Sequence, residues 1–513
     1  MPPINKSRIA KNTALLYFRM LLIMLITLYI TRVLLNVLGK SDYGTYEVVG
    51  TIVAMFTFLG STMATAAQRF FAVELGIENY AKLKQLFSVN VLVFIGLAIV
   101  ILILAETVGL WYLNNIMNIP ADRIIATAWV YQFSVFSAVT GIVTIPYVAI
   151  ITAREHMKAY AYLSILEVLF KLAIVFALLY FSLDKLILYA LLAFLVQILI
   201  SATYIVYSTV KFPECKLKYY WNKTMFKDVL NFAGWNVIGS LSMTFRSKGI
   251  DLLLNSFFDV LVNAARGLAY RVYNALILFI TNFFTAIRPQ IIKSYSADND
   301  DSSGELMKLV FQSSKFCYYL ILILSIPVLI ETSSILNIWL NNNVPEYTVV
   351  FTRLIIIVAI IESLANPLVA SINATGIIKK YQIVTSTIIL MILPVSYLFL
   401  KFGFPPQVTM YISIVASVLA QICRVYYMNK LLKMNTSQYI KQVILPISAV
   451  TVPAFVLPAI FYISFDESFM RLVGVCTVTV ISSGFSIFYV GLTKSERKGL
   501  VNIILRIVNK GGL

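Results

Sequence analysis

The chain is predicted to be an all-α membrane protein that crosses the bilayer about fourteen times, and three observations carry that prediction. Hydrophobic residues make up 60% of the 513 positions and charged residues only 12%, a balance that cannot clothe a soluble surface. Apolar runs of about 20 residues, the length a bilayer core requires, recur along the whole chain. Lys and Arg concentrate in alternate loops, the outer loops holding only Lys40, Arg123, Lys185, Lys401 and Arg471. That is the positive-inside pattern, and an even number of spans then places both termini on the cytoplasmic side. The formal net charge of +18 is therefore a matter of topology, and nucleic acid is not an expected partner.

Taken in order, spans are expected at residues 13–38, 45–73, 86–113, 124–151, 159–182, 186–210, 229–257, 263–290, 309–340, 349–373, 381–402, 407–428, 442–463 and 469–492. The first follows Met1–Lys11, runs long and lacks a small-residue cleavage site, so a retained helix is expected rather than a cleaved signal. Spans 2, 7 and 8 carry charges and are the least apolar. The longest inner loops, Lys211–Asp228 and Lys293–Lys308, are too short for an inserted soluble domain. Spans 1–6 form an N-lobe (1–210), followed by a basic connector (211–228). Spans 7–12 form a C-lobe (229–428), spans 13–14 an added pair (442–492), and 493–513 a cytoplasmic tail. In the tail, Lys498, Arg506 and Lys510 lie on one side of a helix and Leu500, Ile503, Ile504, Ile507 and Val508 largely on the other. Such a helix lies on an anionic leaflet.

An internal repeat supports the two lobes. The segment Pro146–Tyr160 aligns with Pro367–Tyr381 at an offset of 221, with seven of 15 positions identical, and Lys158 and Lys379 fall in corresponding inner loops. Leu34-Leu35-Asn36 aligns with Leu253-Leu254-Asn255 at an offset of 219. Because such an offset spans six crossings, the lobes have the same orientation in the membrane, a parallel repeat. Pro146 and Pro367 each remove a backbone hydrogen bond late in a span and are the candidate hinges.

Several chemistries are excluded. Cys215, Cys317, Cys423 and Cys476 show no CxxC spacing and His156 is the single histidine, so neither a Cys/His zinc site nor a histidine-based triad is expected. No GxxxxGK[ST] phosphate loop is present. The chain is expected to be a transporter rather than an enzyme and to need no cofactor. An ion gradient, the membrane potential, substrate concentration or a separate partner must then drive it.

An ionised side chain at mid-bilayer costs roughly 2.5–3.5 kcal/mol on insertion scales, so it normally faces water or a partner. The cations at such depth are Arg19 and Arg32 in span 1, Lys171 in span 5, Arg246 and Lys248 in span 7, and Arg266 and Arg271 in span 8. The acids are fewer: Glu47, Glu167, Asp251 and Glu362. This excess of cations suits an anionic ligand, since guanidinium pairs with phosphate through two hydrogen bonds. Arg19, Arg32, Lys171, Arg246, Arg266 and Arg271 are the candidate binding residues. Competing readings exist for some: Glu167 and Lys171 are spaced to neutralise each other, and Arg69, Arg288 and Arg424 at span ends are expected to reach the headgroups. Asp251 has two readings. It answers Lys248 on its own helix, or, because the Leu-Leu-Asn match sets it at the depth of Arg32, it pairs with Arg32 across an outer gate. Glu47 and Glu362 complete the gate candidates.

Several motifs together resemble a known family: Asn12-Thr-Ala-Leu-Leu-Tyr-Phe-Arg19, Leu38-Gly-Lys-Ser-Asp-Tyr-Gly-Thr-Tyr46, Phe232-Ala-Gly-Trp-Asn-Val-Ile-Gly239, Asn263-Ala-Ala-Arg-Gly-Leu-Ala269, Arg288-Pro-Gln-Ile291 and Asn373-Ala-Thr-Gly376. In order and spacing the chain resembles the Wzx-type polysaccharide and O-antigen flippases of the multidrug/oligosaccharidyl-lipid/polysaccharide superfamily. The resemblance implies a two-lobed transporter in the bacterial inner membrane, moving undecaprenyl-pyrophosphate-linked oligosaccharide from the cytoplasmic to the periplasmic leaflet. It further implies a cationic cavity lined by spans 1, 2, 7 and 8. Membrane lipids, a polysaccharide polymerase and glycosyltransferases are the implied neighbours, and the chain is expected to act as a monomer. Two alternatives share this fold: a drug/cation antiporter of the multidrug and toxin extrusion type, and a lipid II flippase. An antiporter for organic cations needs buried carboxylates, and here cations outnumber acids. A membrane-embedded glycosyltransferase or polymerase is a third alternative, without the large periplasmic loop or acidic metal/sugar-nucleotide motif such enzymes commonly need.

Overall fold

A computed structural model of the chain describes residues 6–498 apart from 77, 155, 182, 217–219, 221, 223–224, 226–243, 297–301 and 376. Among the described residues every regular element is a helix. The first crossings form one continuous element, α1 (Lys6–Gly76), broken at Gly39, where φ 80 and ψ 171 leave helical geometry. Glycine adopts that positive φ without steric cost, so the first span ends there and the second begins. Next come α2 (Tyr80–Leu104), α3 (Ile124–Ala153), α4 (Met157–Ala177) and α5 (Lys185–Lys211). Beyond the connector lie a π-helical turn (Phe245–Gly249), α6 (Ile250–Phe257) and α7 (Val260–Ser296). Apart from the single α-helical turn Thr436–Tyr439, the remaining α-helices are α8 (Ser302–Ile330), α9 (Thr332–Leu340), α10 (Thr348–Ser363), α11 (Ala365–Ala374), α12 (Lys379–Leu390), α13 (Ile392–Lys401), α14 (Val408–Leu432), α15 (Leu445–Ser464) and α16 (Phe469–Ser486).

The fold class is as expected. Each predicted span coincides with a helix, save that span 7 is described only from Thr244 onward. Eleven described segments are long and apolar enough to cross a membrane, three fewer than fourteen. α1 holds two spans, span 7 is described in part, and the cations Arg266, Arg271, Arg288 and Lys293 lower the hydropathy of α7. The repeat is visible in the backbone: α3 ends at Ala153 and α11 at Ala374, 221 residues on. The break at Gly39 likewise matches the non-helical Phe258 between α6 and α7, 219 residues on. Polar side chains within the spans turn back to their own helix. Thr31, Ser88, Thr144 and Ser371 donate to carbonyls four residues earlier, which satisfies them where lipid offers no partner.

The chain divides into two compact units, 1–267 with 396–406, and 268–395 with 407–513. In the first, α1 packs chiefly on α3 and α4, and α3 on α5. Its core includes Phe71, Leu83, Phe87, Phe94 and Ile150. One end is tied by Arg123, whose guanidinium forks between Asp42 (2.8 and 2.5 Å) and Asp184 (2.6 and 3.2 Å). Asp184 also accepts the first free N–H groups of α5, from Leu186 and Ile187. Burial raises its pKa, but Arg123 and the Ile187 N–H outweigh that, and the carboxyl lies below its ordinary value.

At the other end of this unit Arg154 bonds the buried Glu214 and lies over the rings of Tyr80 and Phe212. Cys215 is enclosed beside this pair; burial first, then the Glu214 carboxylate, pushes its thiol up to about 12. At neutral pH it is therefore a protonated, unreactive thiol. Iodoacetamide is expected to leave Cys215 unmodified in the folded chain and to alkylate it after denaturation. Modification at equal rates in both states would count against this packing.

In the second unit α15 and α16 pack on each other and on α8. Two buried ion pairs fix this added helix pair. At one end Arg471 donates from Nε and Nη2 to the two oxygens of Glu331, at 2.7 and 3.1 Å. At the other, Lys315 Nζ donates to Glu496 at 2.8 Å. Thr493 and Glu496 form a reciprocal capping box where the chain enters the tail, whose remainder lies outside the described residues.

Candidate functional site

Two of the motifs meet in the first unit. Gly44, from the motif after span 1, sits so close to the start of α7 that a Cβ there would lie 2.0 Å from the Val260 carbonyl oxygen. Only glycine admits this approach. Around it, Tyr43 donates to Glu47 at 2.8 Å, and Glu47 lies against Gly267. Asn263 donates to the Asp251 carbonyl at 2.7 Å, while Ala264 and Ala265 are fully buried. α6 is held further by Tyr112, which donates to the Leu252 carbonyl at 2.8 Å. The Asn118 amide N–H also donates to Asn255 at 3.0 Å.

Asp251 is the centre of this cluster. It pairs with Arg266, accepts from Thr51 of α1 at 3.3 Å, and has Lys248 at 3.8 Å. Arg266 is 1% exposed and also donates to the Ser247 carbonyl at 3.1 Å. Two expectations are corrected here. Arg266 is committed to Asp251 rather than presented to a ligand, because α7 turns back beside α6 and brings the two side chains together. Nor does an ion pair join Arg32 to Asp251: Arg266 already occupies the carboxylate, and Lys248 is the nearer of the two cations foreseen. Arg32 itself is part-buried on α1 and has no acidic partner among the described residues. Arg246 is part-buried in the π-helical turn before α6.

A second group of candidates gathers where α1 meets α4. Arg19 donates to Ser164 and lies 4.5 Å above the Tyr160 ring. Lys171 donates to Glu167 at 2.5 Å, so the neutralising reading of that pair holds. Beside them lies a cavity of about 320 Å³, into which Gln68, Tyr160, Glu167 and Gln197 bring polar groups among apolar walls such as Ile145, Val148 and Ile200.

In the second unit Glu362 accepts from Tyr273 at 2.8 Å and from Ser417 at 3.3 Å, and Arg271 is part-buried on α7 two residues before Tyr273. The candidate hinges differ from each other. α3 runs unbroken through Pro146, whereas the equivalent helix is interrupted at Leu364, between α10 and α11, three residues before Pro367. Arg424 is 8% exposed and bonds Gln421 at 3.3 Å, so it is buried in its helix bundle instead of reaching the headgroups. The side chains of Arg69 and Arg288, the motif 232–239 and Gly376 lie outside the described residues.

The ion pairs Arg123–Asp42, Arg154–Glu214, Arg471–Glu331 and Lys315–Glu496 are not foreseen from the sequence. Their partners lie 60 to 181 residues apart, beyond any helical spacing. Only the oddity of an acid inside an apolar run marks Glu331.

The model of a family described as polysaccharide biosynthesis protein matches residues 9–295. No curated protein is significantly similar to the chain. Solved structures share its fold. Lipid II flippase MurJ in an inward closed conformation superposes with a TM-score of 0.66 at 14% identity, over 94% of this chain and 99% of that one. An inward-facing multidrug resistance MATE family transporter of the MOP superfamily gives 0.65 at 12% identity, over 80% and 96%. The MATE multidrug transporter DinF-BH gives 0.60 at 14%, over 84% and 98%. At such identities the likeness speaks for the fold alone.

Proposed function

The chain belongs to the polysaccharide biosynthesis protein family, and from that premise we propose that it is a flippase for lipid-linked oligosaccharide. Its substrate on this reading is a glycan joined through pyrophosphate to a polyprenyl chain, moved from the cytoplasmic to the periplasmic leaflet of a bacterial inner membrane. The cation distribution supports a cytoplasmic placement of both termini. Glycosyltransferases supply the substrate and a polymerase consumes it.

One observation carries the reading beyond the family. Arg32 lies in an apolar span, part-buried, without an acidic partner among the described residues. A guanidinium so placed calls for an anion or water, and pyrophosphate offers it two parallel acceptors. Arg246 and Arg271, part-buried in spans 7 and 8, are proposed to join it during transport. In cells dependent on this chain for export, Arg32→Ala is expected to lower surface polysaccharide about tenfold or more, the worth of one charge-assisted hydrogen-bonding group. Lys185→Ala, an exposed change at the first residue of α5, is expected to have no effect at equal protein level. Equal export from both variants would remove the basis for anion recognition by Arg32.

Antiport of an organic cation is the second reading, favoured by the carboxylates Glu167 and Glu362 within spans. Glu167→Gln and Glu362→Gln with ethidium efflux as readout separate the two: loss of efflux with normal polysaccharide would favour the antiporter.

A further inference from the structure

On the second unit a cavity of about 900 Å³ opens where α8 begins, α14 ends, α15 begins and α16 ends. That volume is ample for a small ligand. Its lining carries four lysines, Lys308, Lys315, Lys433 and Lys441, against one carboxylate, Glu496. Glu496 is taken by Lys315, which is 3% exposed. Lys308, Lys433 and Lys441 are exposed, and none has an ion pair among the described residues. Three cations thus share one concave site whose single carboxylate is already paired with Lys315.

The backbone around the cavity is irregular where it is lined by these residues. Lys433 ends α14 in the left-handed conformation, φ 52 and ψ 29. That conformation disfavours a side chain with a Cβ and persists only where surroundings impose it. Here they do: Met434 is fully buried and its carbonyl accepts from the Asn429 side chain at 2.8 Å. Lys441 and Gln442 lie on one π-helical turn (Ile440–Ile444), and Val490 and Gly491 on another (Ile487–Gly491). Such turns are often kept at functional sites. Amides from Gln312, Asn435 and Gln438 add hydrogen-bonding groups, while Pro446, Val490 and Leu492 give one wall an apolar surface.

We propose that this cavity is a binding site for an anionic glycerophospholipid of the inner leaflet. The phosphodiester would engage Lys308, Lys433 and Lys441, and the acyl chains would leave along the apolar wall. The placement rests on the orientation proposed above, which turns this face toward the anionic cytoplasmic leaflet. Basic pockets between membrane helices on that side select anionic headgroups, each lysine near the surface contributing about fivefold in affinity. The site is distinct from the Arg32 region and holds a resident lipid rather than cargo.

The test uses the full-length chain in detergent, with bound lipid counted by native mass spectrometry during titration with phosphatidylglycerol, phosphatidylcholine or inorganic phosphate. Phosphatidylglycerol is expected to bind and phosphatidylcholine not. Replacing all three lysines (Lys308→Gln, Lys433→Gly, Lys441→Gln) is expected to weaken phosphatidylglycerol on the order of a hundredfold. Lys433→Gly alone relieves the left-handed strain, so its expected loss of about fivefold cannot come from misfolding. Undiminished binding by either variant, or equal retention of phosphatidylcholine, would overturn the site. Inorganic phosphate displacing the lipid at equal concentration would overturn the assignment to a lipid. None of these readouts depends on polysaccharide export, so the transport reading and this one fail separately.

Discussion

Arg471→Met is expected to destabilise the chain by about 3–5 kcal/mol, the cost of removing one partner from a buried ion pair. Its partner Glu331 is 1% exposed and would keep only the Ser334 hydroxyl, at 2.6 Å, in place of a two-pronged guanidinium. The same arginine lies 4.3 Å above the Tyr462 ring and reaches the Phe465 carbonyl, so one substitution loosens both ends of the α15–α16 turn. The paired change Glu331→Leu with Arg471→Met should recover most of the loss, because much of the ion pair's Coulomb energy only offsets its desolvation. Melting of the detergent-solubilised chain measures both. A single variant as stable as the parent would show that the pair contributes nothing there.

The opposite end of the same helices responds to pH. Burial raises the Glu496 pKa, but Lys315 and the Thr493 N–H outweigh it, and the carboxyl lies below its ordinary value. A group with a depressed folded pKa stabilises above its unfolded value and loses that contribution as pH falls through the folded one. The parent should therefore lose stability below about pH 4.5, the unfolded range for glutamate, and Glu496→Gln should be less stable at neutral pH with a flatter acid limb.

Hydropathy alone reveals the helices of this fold, since lipid demands a run of apolar residues wherever the chain crosses. The break between spans 1 and 2 is legible in the same way, because Gly39 is the residue that can hold φ 80. The repeat is legible as well, and its two offsets reappear at the ends of α3 and α11 and at Phe258. Side-chain partnership is another matter. Within one helix the spacing suffices: Glu167 and Lys171, four apart, do pair. Between helices it does not, and Asp251 shows why. Lys248 is three residues away on the same helix and Arg32 is matched by the repeat. The cation that reaches it is Arg266, placed by the turn at Phe258, which sends α7 back along α6. For Arg424, nearness to a span end points to the headgroups, while packing of α14 against α10 and α12 encloses it.

That turn makes Asp251→Asn the second change with a large expected effect. The substitution keeps shape and the contact with Thr51, yet it leaves Arg266, 1% exposed, without its carboxylate, a loss of about 3–5 kcal/mol. The cluster also joins α6 and the start of α7 to α1, so a weakened cluster favours any state in which these elements part. Even 1–2 kcal/mol shifts such an equilibrium by roughly five- to thirtyfold. Surface polysaccharide is accordingly expected to fall about tenfold at equal protein level. Gly44→Ala attacks the same contact without touching charge, since its methyl group would collide with the Val260 carbonyl, and it should reproduce the defect. Exchange experiments identify the partner. Asp251→Arg combined with Arg266→Asp should restore part of the export that either change abolishes, and Asp251→Arg combined with Arg32→Asp should not. Rescue by the Arg32 exchange and not by the Arg266 exchange would mean that Asp251 works against Arg32 in a state other than this one, and that the cluster seen here is not what the transport cycle requires.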